Sequence, residues 1–139
     1  MNDYSDIIFL MASMVMLALI TTNTIRTYAT TNDSLVRSEL EYRMMAAAQD
    51  EIDNVRWVDS SDELNSSHSS YVFSSYPLTK TISFGSSDQY SDQVTVTASA
   101  ALVEDNSTME RYEITVTASS TYLTPSVTAT LNYIKSFKK

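Results

Sequence analysis

The chain has 139 residues, of which 19% are charged, and a formal net charge of −8 at pH 7. This length is enough for one domain with a modest core, and the acidic balance excludes the basic stripe that nucleic-acid binding requires. The sequence contains no cysteine and one glycine, which excludes disulfides, thiolate metal sites and glycine-rich phosphate loops. We therefore expect no nucleic-acid partner, no cofactor and no metal centre.

The first predicted element is an apolar segment, IIFLMASMVMLALI, at residues 7–20. No charged residue lies between Asp6 and Arg26. At about 1.5 Å per helical residue this stretch reaches roughly 28 Å, close to the thickness of a bilayer's hydrocarbon core. A cleaved signal peptide has a basic start and an A-x-A site, whereas this chain begins MNDYSD and no A-x-A follows the apolar run. We therefore expect the segment to remain in the mature chain.

The helical pattern continues beyond the apolar segment. An apolar residue recurs every three or four positions, which is typical of one helix face: Val36, Leu40, Met44, Ala48, Ile52 and Val55. Glu51 and most other charged residues of this region lie off that face. The sequence predicts one helix from about residue 4 to residue 58, with an apolar part (residues 1–30) and an amphipathic continuation (residues 31–58).

The stretch TTNTIRTYATTNDS, residues 21–34, is the weakest part of this predicted helix. Threonine and asparagine are poor helix formers, because β-branched side chains lose rotamers and short polar side chains compete for the backbone. A kink or a locally melted turn is one alternative here. A second helix that begins at a cap formed by Asp33 or Ser34 is another.

The second half of the chain predicts a small antiparallel sheet. Residues 59–78 form a Ser-rich, acidic loop without periodicity, and residues 79–139 form the sheet. Apolar residues alternate with Ser and Thr in QVTVTASAALV, where Val94, Val96, Ala98, Ala100 and Leu102 share a face, and likewise in RYEITVTAS and SVTATLNYIKSF. Such alternation is typical of half-buried antiparallel strands, and TKTISFG is a weaker additional strand. The predicted class is α+β, with a long helix packed on three or four strands.

The amphipathic part of the helix can cover the apolar face of this sheet, but the apolar part then has no partner within its own subunit. We predict that these residues form a subunit interface: Ile7, Ile8, Phe9, Leu10, Met11, Met14, Val15, Met16, Leu17, Leu19 and Ile20, with Asp3 and Asp6 as accompanying charges. An alternative for the two aspartates is that they are solvated charges favoured by the helix dipole.

This order of elements resembles the type IV pilin and pseudopilin family, and YEITVTASSTYLTPSVTATLNYIKSF resembles the final strand pair of pilin-like proteins. The resemblance implies a structural subunit of an extracellular or cell-surface helical filament, with an inner-membrane precursor. It implies three partners: further copies of the chain, the membrane before assembly, and assembly machinery of the pilus or secretion type. The family's basic leader before F-T-L-I-E is absent, and its acidic residue five positions into the mature helix is not matched in place.

Other functions remain as alternatives. A single-span, membrane-anchored β-domain that binds a partner is one, and a virion coat protein is another. Arg26 and Arg37 follow the apolar segment, and the positive-inside rule would then place the sheet in the cytoplasm.

We expect no enzymatic activity. The only histidine, His68, lies in a Ser-rich loop without a nucleophile elbow. The carboxylate pairs Asp62–Glu63 and Glu104–Asp105 are interpreted as solvated turn charges rather than as cation ligands. Three N-x-[ST] triplets occur, and Asn65 and Asn106 are the better glycan candidates because they lie in predicted loops, unlike Asn32.

Overall fold

The computed structural model describes residues 3–139, without the side chains of Asp3 and Ser86, and has an α+β fold. One long helix is followed by four strands: α1 (Asp3–Arg56), β1 (Leu78–Phe84), β2 (Tyr90–Asp105), β3 (Met109–Ser120) and β4 (Val127–Lys138). The strands form one antiparallel sheet in the order β1-β2-β3-β4. The predicted fold class is confirmed, including the fourth strand.

Helix α1 is continuous across the Thr- and Asn-rich stretch, so the kink, the melted turn and the second helix do not occur. Several hydroxyls of this stretch are satisfied within the helix. Thr21 donates to the carbonyl of Leu17 at 2.8 Å, and Thr24 donates to that of Ile20 at 2.9 Å. A hydroxyl that bonds one turn back no longer competes for the local backbone, which removes the expected reason for a break.

The chain divides into two compact units, one ending at Val36 and the other comprising residues 37–139. We call the second unit the head. The buried apolar core lies in the head, and its helical contribution is the predicted stripe without its first member: Leu40, Met44, Ala48, Ile52 and Val55. Val36, the first predicted member, is half-buried and ends the first unit. Val94 and Val96 of β2 and Ile114 and Val116 of β3 complete its centre, each fully buried. The helix face and the sheet face thus cover one another, as the two periodicities predict.

The predicted alternation along β2 fails at its far end. Leu102 was expected on the buried face, but its side chain is 51% exposed. The strand register shifts between Leu102 and Glu104, and Leu102 borders a small depression with Leu64 and Tyr112. Leu64 belongs to a short 3₁₀ turn (Ser61–Leu64) and is itself fully buried, whereas Leu102 remains partly in solvent.

The Ser-rich loop contributes more to the core than its composition predicts. It contains two 3₁₀ turns, Ser61–Leu64 and Val72–Ser75, each with one buried side chain, Leu64 and Phe73. The ring of Phe73 makes edge contacts with Tyr71 and Tyr76 at centroid distances of 5.6 and 5.4 Å. The segment between helix and sheet is therefore anchored by apolar residues of two short 3₁₀ turns, which a periodicity argument does not detect.

We expect the head to fold without the first 36 residues, because its buried apolar core begins at Leu40. Deleting residues 1–36 should give a soluble monomer with mixed α/β circular dichroism and one cooperative unfolding transition. Sedimentation and thermal melts of the truncated chain are the measurements. An unfolded or aggregated product would contradict a self-contained head.

Candidate functional site

The candidate site is the predicted apolar segment, residues 7–20 of α1. Its eleven large apolar side chains are all exposed, from 53% at Ile7 to 79% at Phe9. Asp6 is exposed as well, while the side chain of Asp3 lies outside the described part of the structure. Soluble proteins seldom expose so much contiguous apolar surface without a binding partner or a membrane to cover it.

The apolar side chains surround the helix rather than forming one stripe. Consecutive large residues, such as Ile7 to Met11 and Met14 to Leu17, point in every direction because each is rotated by about 100° from the last. A helix that is apolar on all sides is covered on all sides in its working state, either by lipid or by other helices. A single flat partner surface could not cover this segment.

Three hydroxyls in or near this segment have acceptors within the helix. The hydroxyl of Ser13 donates to the carbonyl of Leu10, and that of Thr22 donates to the carbonyl of Ala18, both at 2.8 Å. Thr30 similarly donates to the carbonyl of Arg26 at 3.1 Å. A hydroxyl with an internal acceptor can be moved into an apolar environment without leaving its hydrogen unpaired. By length and composition, α1 contains a span that could cross a membrane.

A buried ionic cluster fixes the second half of α1 on the sheet. The carboxylate of Glu51 is 5% exposed, and it pairs with the ammonium of Lys80 on β1. The same carboxylate accepts a hydrogen bond from the phenol of Tyr76 and one from the amide of Asn54 at 3.5 Å. Glu51 was predicted to lie off the buried face, and this prediction is wrong, because Lys80 and Tyr76 supply the partners that make its burial tolerable.

The end of α1 is also attached to the sheet. The ammonium of Lys135 on β4 donates to the carbonyl of Arg56 at 2.6 Å, where the helix leaves its last carbonyls without partners. The guanidinium of Arg56 lies 5.6 Å from the ring centroid of Tyr133. At the start of the head, Arg37 donates to the carbonyl of Pro125 at 3.0 Å. These contacts fix residues 37–56 at several separate points.

The pKa shifts of the cluster predict a stability maximum between acidic and strongly alkaline pH. Burial raises the pKa of Glu51, but the hydrogen bonds from Lys80 and Tyr76 and the charge of Lys80 lower it more, so the net shift is downward. Burial, together with the Glu51 carboxylate, raises the pKa of the Tyr76 phenol above its ordinary value of about 10. Stability from Glu51 is therefore present above about pH 4.3 and is lost as the pH falls through its lower folded pKa.

The pH dependence of stability has the opposite sign for Tyr76. The contribution of Tyr76 to stability is complete below about pH 10, and it declines above that pH because the phenol ionises first in the unfolded chain. We expect the melting temperature to fall at both extremes, and Tyr76→Phe to reduce the alkaline decline. Thermal melts across pH are the measurement, with Tyr42→Phe, an exposed tyrosine, as the control. An alkaline decline equal in all three proteins would contradict the role of Tyr76.

The other predicted polar residues lie in local, exposed arrangements. His68 Nδ1 is 3.0 Å from the hydroxyl of Ser70, but its Nε2 is 3.9 Å from Asp62, beyond hydrogen-bonding distance, and the His68 and Asp62 side chains are about half or more exposed. Glu104 pairs with Arg111 at 2.8 Å, and Asp105 pairs with Lys139. Within residues 3–139, no group of three His, Asp or Glu side chains lies close enough to bind a metal ion.

No protein-family model, curated protein or solved structure matches the chain. Its description therefore depends on its own fold and surface. It is an α+β protein with a compact head and an N-terminal helix that is long and apolar enough to cross a membrane.

Proposed function

We propose that the chain is a structural subunit of an extracellular or cell-surface helical filament, assembled by bundling its N-terminal helices as in the type IV pilins it resembles. The observation that carries the proposal is the exposure of every large apolar side chain in residues 7–20. Covering one Leu, Ile, Phe or Met side chain completely is worth about 1.5–3 kcal/mol, so many such residues strongly favour a covered state.

The same segment suits two successive environments. Its length and composition suit a bilayer, which accounts for a membrane-inserted precursor. The small residues Ala12, Ser13 and Ala18 let neighbouring helices approach closely, and the flexible side chains of Met11 and Met14 fit irregular gaps between them. The segment can thus exchange lipid for the helices of other copies without a change in its own structure.

The head supports an outward position in such a filament. On β2, Thr95, Thr97 and Ser99 are exposed and alternate with the buried or half-buried residues Val96 and Ala98. This hydroxyl-rich face and the acidic net charge of −8 favour solvation and mutual repulsion of heads. Contacts between unlike surfaces of identical subunits need not close on themselves, so they can extend into a helical polymer with help from assembly machinery.

A second candidate is a single-span, membrane-anchored module whose head binds a partner. Arg26, just after the charge-free stretch, favours it through the positive-inside rule, which would keep the head in the cytoplasm. Arg37 carries less weight in this argument, because its guanidinium is hydrogen-bonded to the head at Pro125. In this candidate the apolar segment stays in lipid and no polymer forms.

Electron microscopy of sheared surface material separates the two candidates. The filament proposal expects thin filaments that contain the chain, with the remainder in the membrane fraction. The control is the chain without residues 1–36, which should form none. If the full chain is found only in membranes, with its head protected from protease added to intact cells, the filament proposal is wrong and the anchored module is favoured.

A further inference from the structure

We infer that Asn106 is an N-glycan acceptor of this chain, modified by transfer of a saccharide from a lipid-linked donor. The inference rests on the proposed function, because such transfer takes place on exported chains. Three N-x-[ST] triplets occur in the sequence, at Asn32, Asn65 and Asn106. The structure distinguishes among them by backbone conformation and by the contacts of each asparagine.

Asn106 begins the turn between β2 and β3, and residues 105–108 are all exposed. Its amide oxygen accepts hydrogen bonds from the backbone nitrogen of Thr108 at 3.0 Å and from the Thr108 hydroxyl at 2.9 Å. It also accepts one from the backbone nitrogen of Met109 at 2.9 Å. The asparagine and the hydroxyl of its own triplet are therefore held side by side on an accessible turn.

The amide nitrogen of Asn106 is held by a carboxylate. Nδ2 donates to Oε1 of Glu104 at 2.8 Å, and Oε2 of Glu104 is held by Nη1 of Arg111 at 2.8 Å. The side-chain amide thus accepts a hydrogen bond from a hydroxyl at its oxygen and donates one to a carboxylate from its nitrogen. An amide nitrogen is a weak nucleophile because its lone pair is delocalised. A carboxylate that accepts a hydrogen bond from its N–H group favours attack by the nitrogen, and a transferase supplies such a carboxylate during the reaction.

The transfer balances without an oxidant or a reductant. Asn106 Nδ2 forms a bond to the anomeric carbon of a saccharide carried on a lipid phosphate or diphosphate. The bond between that carbon and the phosphate oxygen breaks, and the lipid phosphate leaves with the electron pair. The nitrogen loses one proton to a carboxylate base of the transferase. The product is an N-linked glycan on an exposed turn.

The other two triplets lack this arrangement. Asn32 lies inside α1, where residues two apart are rotated by about 200° from one another, so Asn32 and Ser34 point to opposite sides. The hydroxyl of Ser34 donates instead to the carbonyl of Thr30 at 2.9 Å. Asn65 is exposed, and its amide oxygen accepts a hydrogen bond from the backbone nitrogen of Ser67 at 3.0 Å. Among the described residues, however, neither the Ser67 hydroxyl nor a carboxylate is bonded to its side chain, so it lacks the arrangement of hydroxyl, amide and carboxylate found at Asn106.

The test is mass spectrometry of peptides from the full chain, isolated from the cells that produce it. We expect a saccharide on the peptide that contains Asn106, lost in Asn106→Gln and in Thr108→Ala and retained in Thr108→Ser, which keeps the triplet's hydroxyl. Asn65→Gln is the matched control and should leave the modification unchanged. Circular dichroism of each variant verifies that the head is folded.

Either a saccharide confined to Asn32 or Asn65, or an unmodified Asn106 peptide, would overturn the inference. Micrographs of the same preparations report on the filament separately. Filaments with an unmodified Asn106 would refute this inference alone, and a modified Asn106 without filaments would refute the filament alone.

Discussion

Leu17→Asp should abolish assembly while leaving the head folded. Leu17 is exposed at the centre of the apolar segment, so covering it on assembly is favourable. An aspartate there loses that gain of about 2 kcal/mol and adds a charge whose cost at the centre of an apolar helix environment is about 2.5–3.5 kcal/mol. A loss of about 5 kcal/mol lowers an association constant by roughly a few thousandfold. Sedimentation and electron microscopy of surface material measure the loss of assembly.

Two controls keep this result specific. Leu17→Met keeps an apolar side chain of similar size and should assemble normally. Ser69→Asp adds the same charge to an exposed loop of the head and should also assemble. The unfolding transition of the head should be unchanged in all three variants, because their sites lie outside the core. Normal filaments from Leu17→Asp would remove the basis of the proposed function.

Lys80→Met should destabilise the head by about 3 kcal/mol, near the lower limit for breaking a buried ion pair. The variant leaves the Glu51 carboxylate buried without a cation. The Lys80 side chain is itself 33% exposed, so the loss of its own packing contributes less to the destabilisation. This loss corresponds to a fall in melting temperature of roughly 12–24 °C for a domain of this size. The pKa of Glu51 should rise in the variant, because a main cause of its lowering is lost.

Variants of the partner residues test the mechanism. Glu51→Gln should cost less than Lys80→Met, because the amide keeps a hydrogen-bond acceptor for Tyr76 while Lys80 can reach solvent. Adding Glu51→Gln to Lys80→Met should therefore restore part of the lost stability. Lys138→Met removes an exposed lysine and should change stability by about 0.5 kcal/mol or less. Equal losses from Lys80→Met and Lys138→Met would contradict a buried pair.

The elements with sustained periodicity were predictable from the sequence. The stripe from Leu40 to Val55 and the alternation around Val94 and Ile114 occupy the positions that their periods of 3.6 and 2 predict. Leu64 and Phe73 are core residues that no pattern indicated, because Leu64 stands alone among polar residues and the short run of Tyr71, Val72 and Phe73 has no repeat. Their burial depends on how the loop returns over the sheet, which is a tertiary property.

The candidate site was also only partly predictable from the sequence. The exposure of residues 7–20 was predictable, because a segment that is apolar on every side cannot be covered by a sheet that already covers another stripe. The burial of Glu51 was not, since its partners Lys80 and Tyr76 are distant in sequence and hydropathy favours solvent for a glutamate. Likewise, the sequence separates Asn65 and Asn106 from Asn32 by their predicted loops, but it does not separate Asn106 from Asn65. That distinction depends on the contacts of Asn106 with Glu104 and Thr108.

Cysteine cross-linking tests directly whether copies of the chain cover one another's apolar segment. The chain has no cysteine, so Leu17→Cys introduces a single thiol, and packed helix axes lie about 8–10 Å apart, within reach of a short bismaleimide. With Ser69→Cys as the exposed control, we expect Leu17→Cys filaments to give dimers on denaturing gels, and to resist a water-soluble maleimide that labels Ser69→Cys. A single-chain band from Leu17→Cys surface material under the same conditions would contradict the bundled-helix account.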